Sequence, residues 1–301
     1  MKDGITLVTA FFPIGRGQWG QSARTNDQYM YYFSRWAKLQ NDLIVFTTPM
    51  LAERICSLRQ TLSPSSTRVI AIEDPREFDP DMLDLMEQTG KAYLPYAFYP
   101  EKAEFNNALY DYIMYCKFSC LERAATLAST ERLAWIDFGF DHGGTFYQDE
   151  SFFESTWSYS GFKKPVSLFS LRELDDRPIF QLLQTSDTYI QGDCFACKTS
   201  FASQLKQDAT QQYLHILNCG YIDDDQVVLL MCLRNDPEHY EALPSDWFSQ
   251  LLDYNDAQQP RKGTLYTDIP APGFADRMRW RKSCIRYLSQ EFKRLSRQVP
   301  Q

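Results

Sequence analysis

Leu133-Ala134-Trp135-Ile136-Asp137-Phe138-Gly139, followed closely by Asp141, His142, Gly143 and Gly144, is the stretch on which the fold turns. Leu133 to Ile136 is a short apolar run and reads as a buried strand. It ends on a carboxylate and then a glycine, and alternating strand and helix patterns fill the chain before it. In an open α/β sheet, ligands bind in the crevice outside the carboxyl ends of the strands. A carboxylate there is suited to hold a divalent cation against a diphosphate.

Working outward, Ile5 to Phe12 (ITLVTAFF), Leu43 to Thr47 (LIVFT) and Arg68 to Ile72 are further short runs rich in β-branched residues, and each reads as a strand. Between them, Tyr29, Tyr32, Phe33, Trp36 and Leu39 recur at helical spacing within Thr25 to Leu39, and Pro49 opens a helix to Leu58. Asp79 to Gln88 reads as a short helix and Ala103 to Ser129 as a long one. Strands alternating with helices predict a mostly parallel sheet flanked by helices, its strands buried on both faces. The second half is less regular. Val166 to Leu171 and Asp187 to Ala196 read as strands, and Ser200 to Leu217 and Val227 to Leu233 as helices. The expectation is one α/β domain over residues 1–255 and a helical, basic C-terminal extension over residues 256–301.

The chain has 301 residues and a net charge of −8. Residues 274–301 carry eight basic residues against Asp276 and Glu291, a surplus of six, which leaves the rest at −14. An acidic body lacks the basic face that nucleic-acid binding requires, so no nucleic-acid partner is expected. In the basic tail, Met278, Ile285, Leu288, Phe292 and Leu295 mark one apolar helix face. Two readings stand: peripheral contact with an anionic membrane surface, or packing on the acidic body. No run reaches the roughly eighteen apolar residues of a membrane span. Met1-Lys2-Asp3-Gly4 leads straight into a strand pattern, so no signal peptide is expected. The expected location is the cytoplasm or the inner face of its membrane, with the eight cysteines reduced.

Several further residues carry chemistry. The loop Gly15-Arg16-Gly17-Gln18-Trp19-Gly20 follows the first strand, and its glycines allow close backbone approach to a ligand. Arg16 or Arg24 would pair with phosphate. Asp223-Asp224-Asp225-Gln226 precedes an apolar helix. Acids suit a helix N-terminus, but three adjacent ones exceed what a cap requires, and their repulsion raises at least one pKa. Cys194 and Cys197 form a C-x-x-C without a second tight pair, so zinc would need two more ligands. Of the three histidines, His142 stands beside the Asp137 turn, and His239 follows the acidic helix. Lys117 lies on the helix leading to the strand that ends at Asp137, either solvated or reaching a phosphate.

Together, VTAFFPIGRGQW (Val8 to Trp19), WIDFG (135–139) and DDDQ (223–226) resemble the HtrL/YibB family of bacterial proteins over roughly residues 4–255. That family is similar to glycosyltransferases of the GT-A fold. The resemblance implies a GT-A-like, Rossmann-like sheet and transfer of a sugar from a nucleoside-diphosphate donor, UDP for preference. The acceptor would be a glycan or glycolipid of surface polysaccharide or lipopolysaccharide assembly. It implies Mn²⁺ or Mg²⁺ held by Asp137 with Gly139, His142 and His239. Thr9, Ala10, Gly15, Arg16, Gly17, Arg24, Asp74, Lys117, Gly192 and Asp193 would face the donor, and Asp224 or Asp225 would serve the acceptor hydroxyl as base. Tyr93, Tyr96 and Trp157 are candidates for stacking on sugar. The usual metal motif of this fold is Asp-any-Asp, whereas this chain reads Asp137-Phe138-Gly139. Asp141 and His142 are the nearest substitutes. The competing reading is a non-catalytic module of the same fold that binds a glycan or a partner protein.

Overall fold

The computed structural model describes residues 2–19, 23–257 and 274–298, with the last segment's side chains described at 274 and 277–293. In chain order the strands and helices are β1 (Lys2–Phe11), α1 (Asn26–Trp36), β2 (Leu43–Thr47), α2 (Pro49–Leu62) and β3 (Thr67–Ala71), then α3 (Pro80–Tyr93), α4 (Ala103–Asn106), α5 (Ala108–Ala125) and β4 (Thr130–Ile136). There follow β5 (Val166–Ser170), α6 (Ile179–Thr185), β6 (Cys194–Lys198), α7 (Ala202–Asn218), α8 (Asp225–Asn235), β7 (Tyr240–Pro244), α9 (Gln250–Asp253) and α10 (Phe274–Gln298).

Seven strands form one sheet in the order β3-β2-β1-β4-β6-β5-β7. Neighbours run parallel except at β6, which is antiparallel to both β4 and β5. The apolar runs are buried on both faces, as expected. On one face Val8, Ile44, Leu133, Trp135 and Phe195 pack under α3, α5, α7 and α8 with Tyr112, Phe118, Tyr213 and Val228. On the other, Leu7, Val45, Ala134 and Ile136 pack with Phe33 and Trp36 of α1, Ile55 of α2, and Trp157.

Local chemistry explains where the elements stop. Thr25 and Gln28 form a reciprocal capping box that starts α1. Arg59 of α2, fully buried, donates to the carbonyls of Ala37, Leu39 and Asn41, where backbone groups would otherwise lack partners. The expected helix over 103–129 is broken at Asn107 (φ −137°, ψ 85°), whose side chain accepts from Tyr110 N and caps α5. It ends at Ala125, which frees Thr130 to start β4 three residues before the expected strand. The expected strand from Asp187 to Ala196 is also shorter. Only Ile190 bridges to β5 before Cys194, and the Gly192 carbonyl is taken by Lys117 instead of a ladder partner. β7 has no apolar run to announce it, because it is a partly exposed edge strand.

The reversal of β6 positions the site. Ile136 pairs with Cys194, so the end of β4 lies beside the start of β6. Asp137 N donates to Asp193 O at 2.8 Å. Two carboxylates distant in sequence thus leave the sheet side by side.

The expected boundary at 255/256 falls just before residues 258–273, which lie outside the described residues, as do Gly20 of the glycine loop and the side chain of Leu295. α10 lies against the 94–101 segment: Ser283 Oγ and Arg286 donate to Ala97 O, and Trp280 Nε1 donates to Tyr99 Oη at 3.3 Å. Ile285, Leu288 and Phe292 are 66%, 58% and 75% exposed. No helix of the described residues is long and apolar enough to cross a membrane.

Candidate active site

A cavity of about 400 Å³ opens at the carboxyl ends of β1 and β4. Ala10 and Phe11 line it from β1, Asp137 from β4, and Gly192 and Asp193 from the entry to β6. α5 contributes Tyr110 and Lys117, and the start of α8 contributes Asp224, Asp225 and Gln226. Arg16 and Arg24 stand on the loop after β1, and Trp247 and Phe248 form a further wall with His142. The cavity therefore carries both arginines and carboxyls.

Lys117 stands among the carboxyls and is 2% exposed. Its Nζ donates to Asp225 Oδ2 at 2.8 Å and to the Gly192 carbonyl at 2.8 Å, and lies 3.1 Å from Asp137 Oδ1. Burial works against the ammonium, but Asp137 and Asp225 together outweigh it, and the pKa is raised. Lys117 stays charged. Asp225 is as buried as Lys117, while Asp137 is 34% exposed and faces the cavity. Trp135 Nε1 also donates to Asp137 Oδ1 at 2.6 Å, fixing the carboxylate from below. Gly192 is required at its position, because a Cβ would stand 2.6 Å from both Asp225 carboxylate oxygens.

Burial acts on the other carboxyls as well. Burial, then the neighbouring Asp137, pushes Asp193 up to about 8, and its Oδ2 is shut off from solvent without a partner. Burial likewise raises Asp223, to about 8, and Asp224 and Asp225. Asp224 Oδ1 accepts from Gln226 N at 3.0 Å and caps α8, while Asp223 Oδ1 accepts from Asp224 N. Behind them Asp111 is fully buried with neither oxygen partnered, and burial holds its pKa well above the carboxylate range. Nothing in the sequence around Asp111 marks it.

The turn after Asp137 is strained. Asp141 and His142 have φ of 61° and 46°, and Gly143 and Gly144 are also left-handed. Asp141 Oδ1 holds the turn by accepting from Phe146 N and Tyr147 N, so it organises backbone and is not a ligand. His142 packs between Tyr32 and Phe248. Burial, then the positive charge of Arg24, lowers its pKa to about 4, leaving it neutral at pH 7.

Several expected site residues lie elsewhere. His239 is on the surface, paired with Asp236 and stacked on Phe201. Asp74 caps a turn and pairs with Arg76 at 2.6 Å. Thr9 is fully buried on the sheet face away from α5, and Gly15 and Gly17 stand back from the cavity that Arg16 reaches. Trp157 is core, donating to Tyr254 O. Tyr93 packs on Phe105 and Tyr221, and Tyr96 on Tyr287. The aromatic walls are instead Phe11, Tyr110, Trp247 and Phe248, with the indole of Trp135 beneath.

The ligand set Asp137, Gly139, His142 and His239 does not assemble, and a resident Mn²⁺ or Mg²⁺ does not fit these residues. No three His, Cys, Asp or Glu side chains converge to hold a metal among the described residues. A second carboxylate at Gly139 would crowd Tyr29, whose Cε1 lies 2.9 Å from where its Cβ would stand. The point between Asp137 and Asp225 is filled by Nζ of Lys117. Zinc at the C-x-x-C fails for a simpler reason. Residues three apart on a strand face opposite ways, and Cys194 and Cys197 lie in opposite cores.

Comparison with known proteins adds the following. Mouse xyloside xylosyltransferase 1, in its apo crystal structure, shares 12% identity and a TM-score of 0.42 over 89% of this chain and 100% of its own, a likeness too loose to bear on activity. The protein HtrL of Escherichia coli (strain K12) is 26% identical over 257 residues, covering 79% of this chain and 87% of HtrL. The family described as "Bacterial protein of unknown function (HtrL_YibB)" matches residues 3–254. The chain belongs to the HtrL/YibB family.

Proposed function

We propose that this protein transfers a sugar from a nucleoside-diphosphate donor to the hydroxyl of a glycan or glycolipid. The observation that carries the reading is the partly exposed Asp137 carboxylate at the end of β4, facing a cavity that Arg16, Arg24 and buried carboxyls also line. Guanidinium groups match the diphosphate in charge and fork geometry. Charge building on the leaving diphosphate would be met by these guanidinium groups. Asp137, immobilised by Trp135 and Lys117, accepts a hydroxyl of the donor's ribose or sugar. Ala10 and Phe11 pack against the base.

Asp224 is the base for the acceptor hydroxyl. It lines the cavity at the start of α8, and burial raises its pKa, the direction that strengthens a carboxylate as a base. Asp193, neutral below about pH 8, donates a hydrogen bond to a sugar hydroxyl where an ionised carboxylate only accepts. The apolar and basic outer face of α10 suits an acceptor held at an anionic membrane surface, as in lipopolysaccharide assembly.

A second reading, a non-catalytic module that binds a nucleotide or glycan without turnover, draws on Gly139, which stands where the fold's metal motif has its second carboxylate. A thermal-shift screen of UDP, GDP, CMP and their sugars tests the first step common to both, since a ligand that binds only the folded state raises its melting temperature. A shift with one nucleotide, lost in Arg24→Ala, supports the donor site. No shift with any nucleotide in folded protein removes the transferase reading.

A further inference from the structure

Three oxygens surround one point in the cleft. Asp225 Oδ2 and the Gly192 carbonyl each lie 2.8 Å from Nζ of Lys117, and Asp137 Oδ1 lies 3.1 Å from it. They come from separate elements: the first turn of α8, the entry to β6 and the end of β4. Two carboxylate oxygens and a carbonyl are the donor set that hard cations take, at about 2.0–2.6 Å, so a modest contraction converts this ammonium site into a metal site. An ammonium has three hydrogens and no lone pair. Three acceptors therefore use it completely, and none is left for a phosphate. Lys117 is thus a positioning residue and does not touch the donor.

We propose that Lys117 is the tethered resident cation of this cleft, standing where a divalent ion would bridge Asp137 and Asp225, so that the site is assembled without metal. The consequence for nucleotide binding, that it needs no divalent ion, rests on the transferase reading; the cation replacement itself does not. The glycine at 192 agrees with it, because only a residue without Cβ lets this carbonyl and the Asp225 carboxylate share the cation.

The test is equilibrium binding of Mn²⁺ to the full chain, by calorimetry and by thermal shift. Wild type is expected to bind no stoichiometric Mn²⁺ below millimolar concentration. Lys117→Ala, which leaves the three oxygens around a vacated point, is expected to bind one equivalent at least tenfold more tightly and to gain melting temperature when Mn²⁺ or Ca²⁺ is added. Asp137→Asn in the same background abolishes both. A merely structural lysine leaves no such gain. One equivalent of Mn²⁺ on wild type, lost in Asp137→Asn, overturns the proposal, as does folded Lys117→Ala that binds none. Should Lys117→Ala fail to fold, the wild-type measurement still decides. A nucleotide shift that is the same in EDTA and in Mn²⁺ supports the proposal, and one that requires Mn²⁺ overturns it. Absence of any nucleotide shift counts against the transferase reading alone and leaves the metal-binding comparison intact.

Discussion

Gly192→Ala is a one-carbon perturbation whose effect can be worked from the geometry. The added Cβ would lie 2.6 Å from Oδ1 and Oδ2 of Asp225 and 2.8 Å from its Cγ, where real Cβ atoms keep at least 3.0 Å. The carboxylate must therefore retreat by some tenths of an ångström, and it has little room. It is bonded to Lys117 at 2.8 Å, is 2% exposed and sits on the first turn of α8. Overpacking of this kind costs about 1–3 kcal/mol, and parting a buried ion pair costs about 3–5 kcal/mol. A loss of about 2–3 kcal/mol is expected, which for a domain of this size lowers the melting temperature by roughly 4–9 °C. Urea unfolding and a thermal scan on the same preparation measure it. Gly17→Ala is the control, since its added Cβ meets nothing closer than 3.7 Å and its φ is not left-handed. It should stay within about 0.5 kcal/mol of wild type. Equal melting of Gly192→Ala and wild type would refute the reasoning, because the Asp225 carboxylate could not then be held against this backbone.

Restoring the familiar metal motif should fail. Gly139→Asp drives a Cβ to 2.9 Å from Tyr29, so it should destabilise by about 1–3 kcal/mol in a urea melt and gain no Mn²⁺ affinity by calorimetry. Asp193 has a folded pKa of about 8, above its unfolded value, so the folded state holds its proton through neutrality. Its contribution is greatest at acidic pH and is lost as pH rises towards 8, at up to about 1.4 kcal/mol per pH unit. Asp193→Asn should flatten that fall in denaturant melts between pH 5 and 8; an unchanged slope contradicts the burial argument. The outer face of α10 predicts co-sedimentation with anionic phospholipid vesicles, weakened by salt and by the triple change Ile285→Ser, Leu288→Ser, Phe292→Ser, whose residues are all more than half exposed.

Much of the scaffold is readable because its signals are local. Leu43 to Thr47 is a continuous apolar run with a proline two residues beyond, and strand and helix begin where those residues say. Asp137 is legible for the same reason, as the first polar residue after a buried run. The reversed strand β6 is not, since strand direction depends on sheet pairing and leaves no mark in composition. Without it, Asp193 cannot be placed beside Asp137. Lys117 had a signal that a solvated reading overlooks: it is flanked by Tyr115, Cys116, Phe118 and Cys120 on a helix buried nearly all round. A lysine in such company needs buried carboxylates, and the later DDDQ segment supplies one. His239 was drawn towards the site by its nearness to the acidic helix in sequence, but α8 carries it one helix length away from Asp225 to the far end. Cys194 and Cys197 are parted by the observed strand, which runs past the expected end at Ala196 to Lys198 and turns the two thiols to opposite faces.

The most direct test of the central claim is release of nucleoside diphosphate from nucleotide sugars by the purified full chain, with a bacterial glycolipid extract as acceptor. The expected result is release from one donor class, stimulated by the extract, with Asp137→Asn and Asp224→Asn each slower by about two or more orders of magnitude while still folded, the scale of removing a positioned catalytic group. Failure to release diphosphate from any donor, or release that Asp137→Asn leaves unchanged, would contradict the assignment of this cleft to glycosyl transfer.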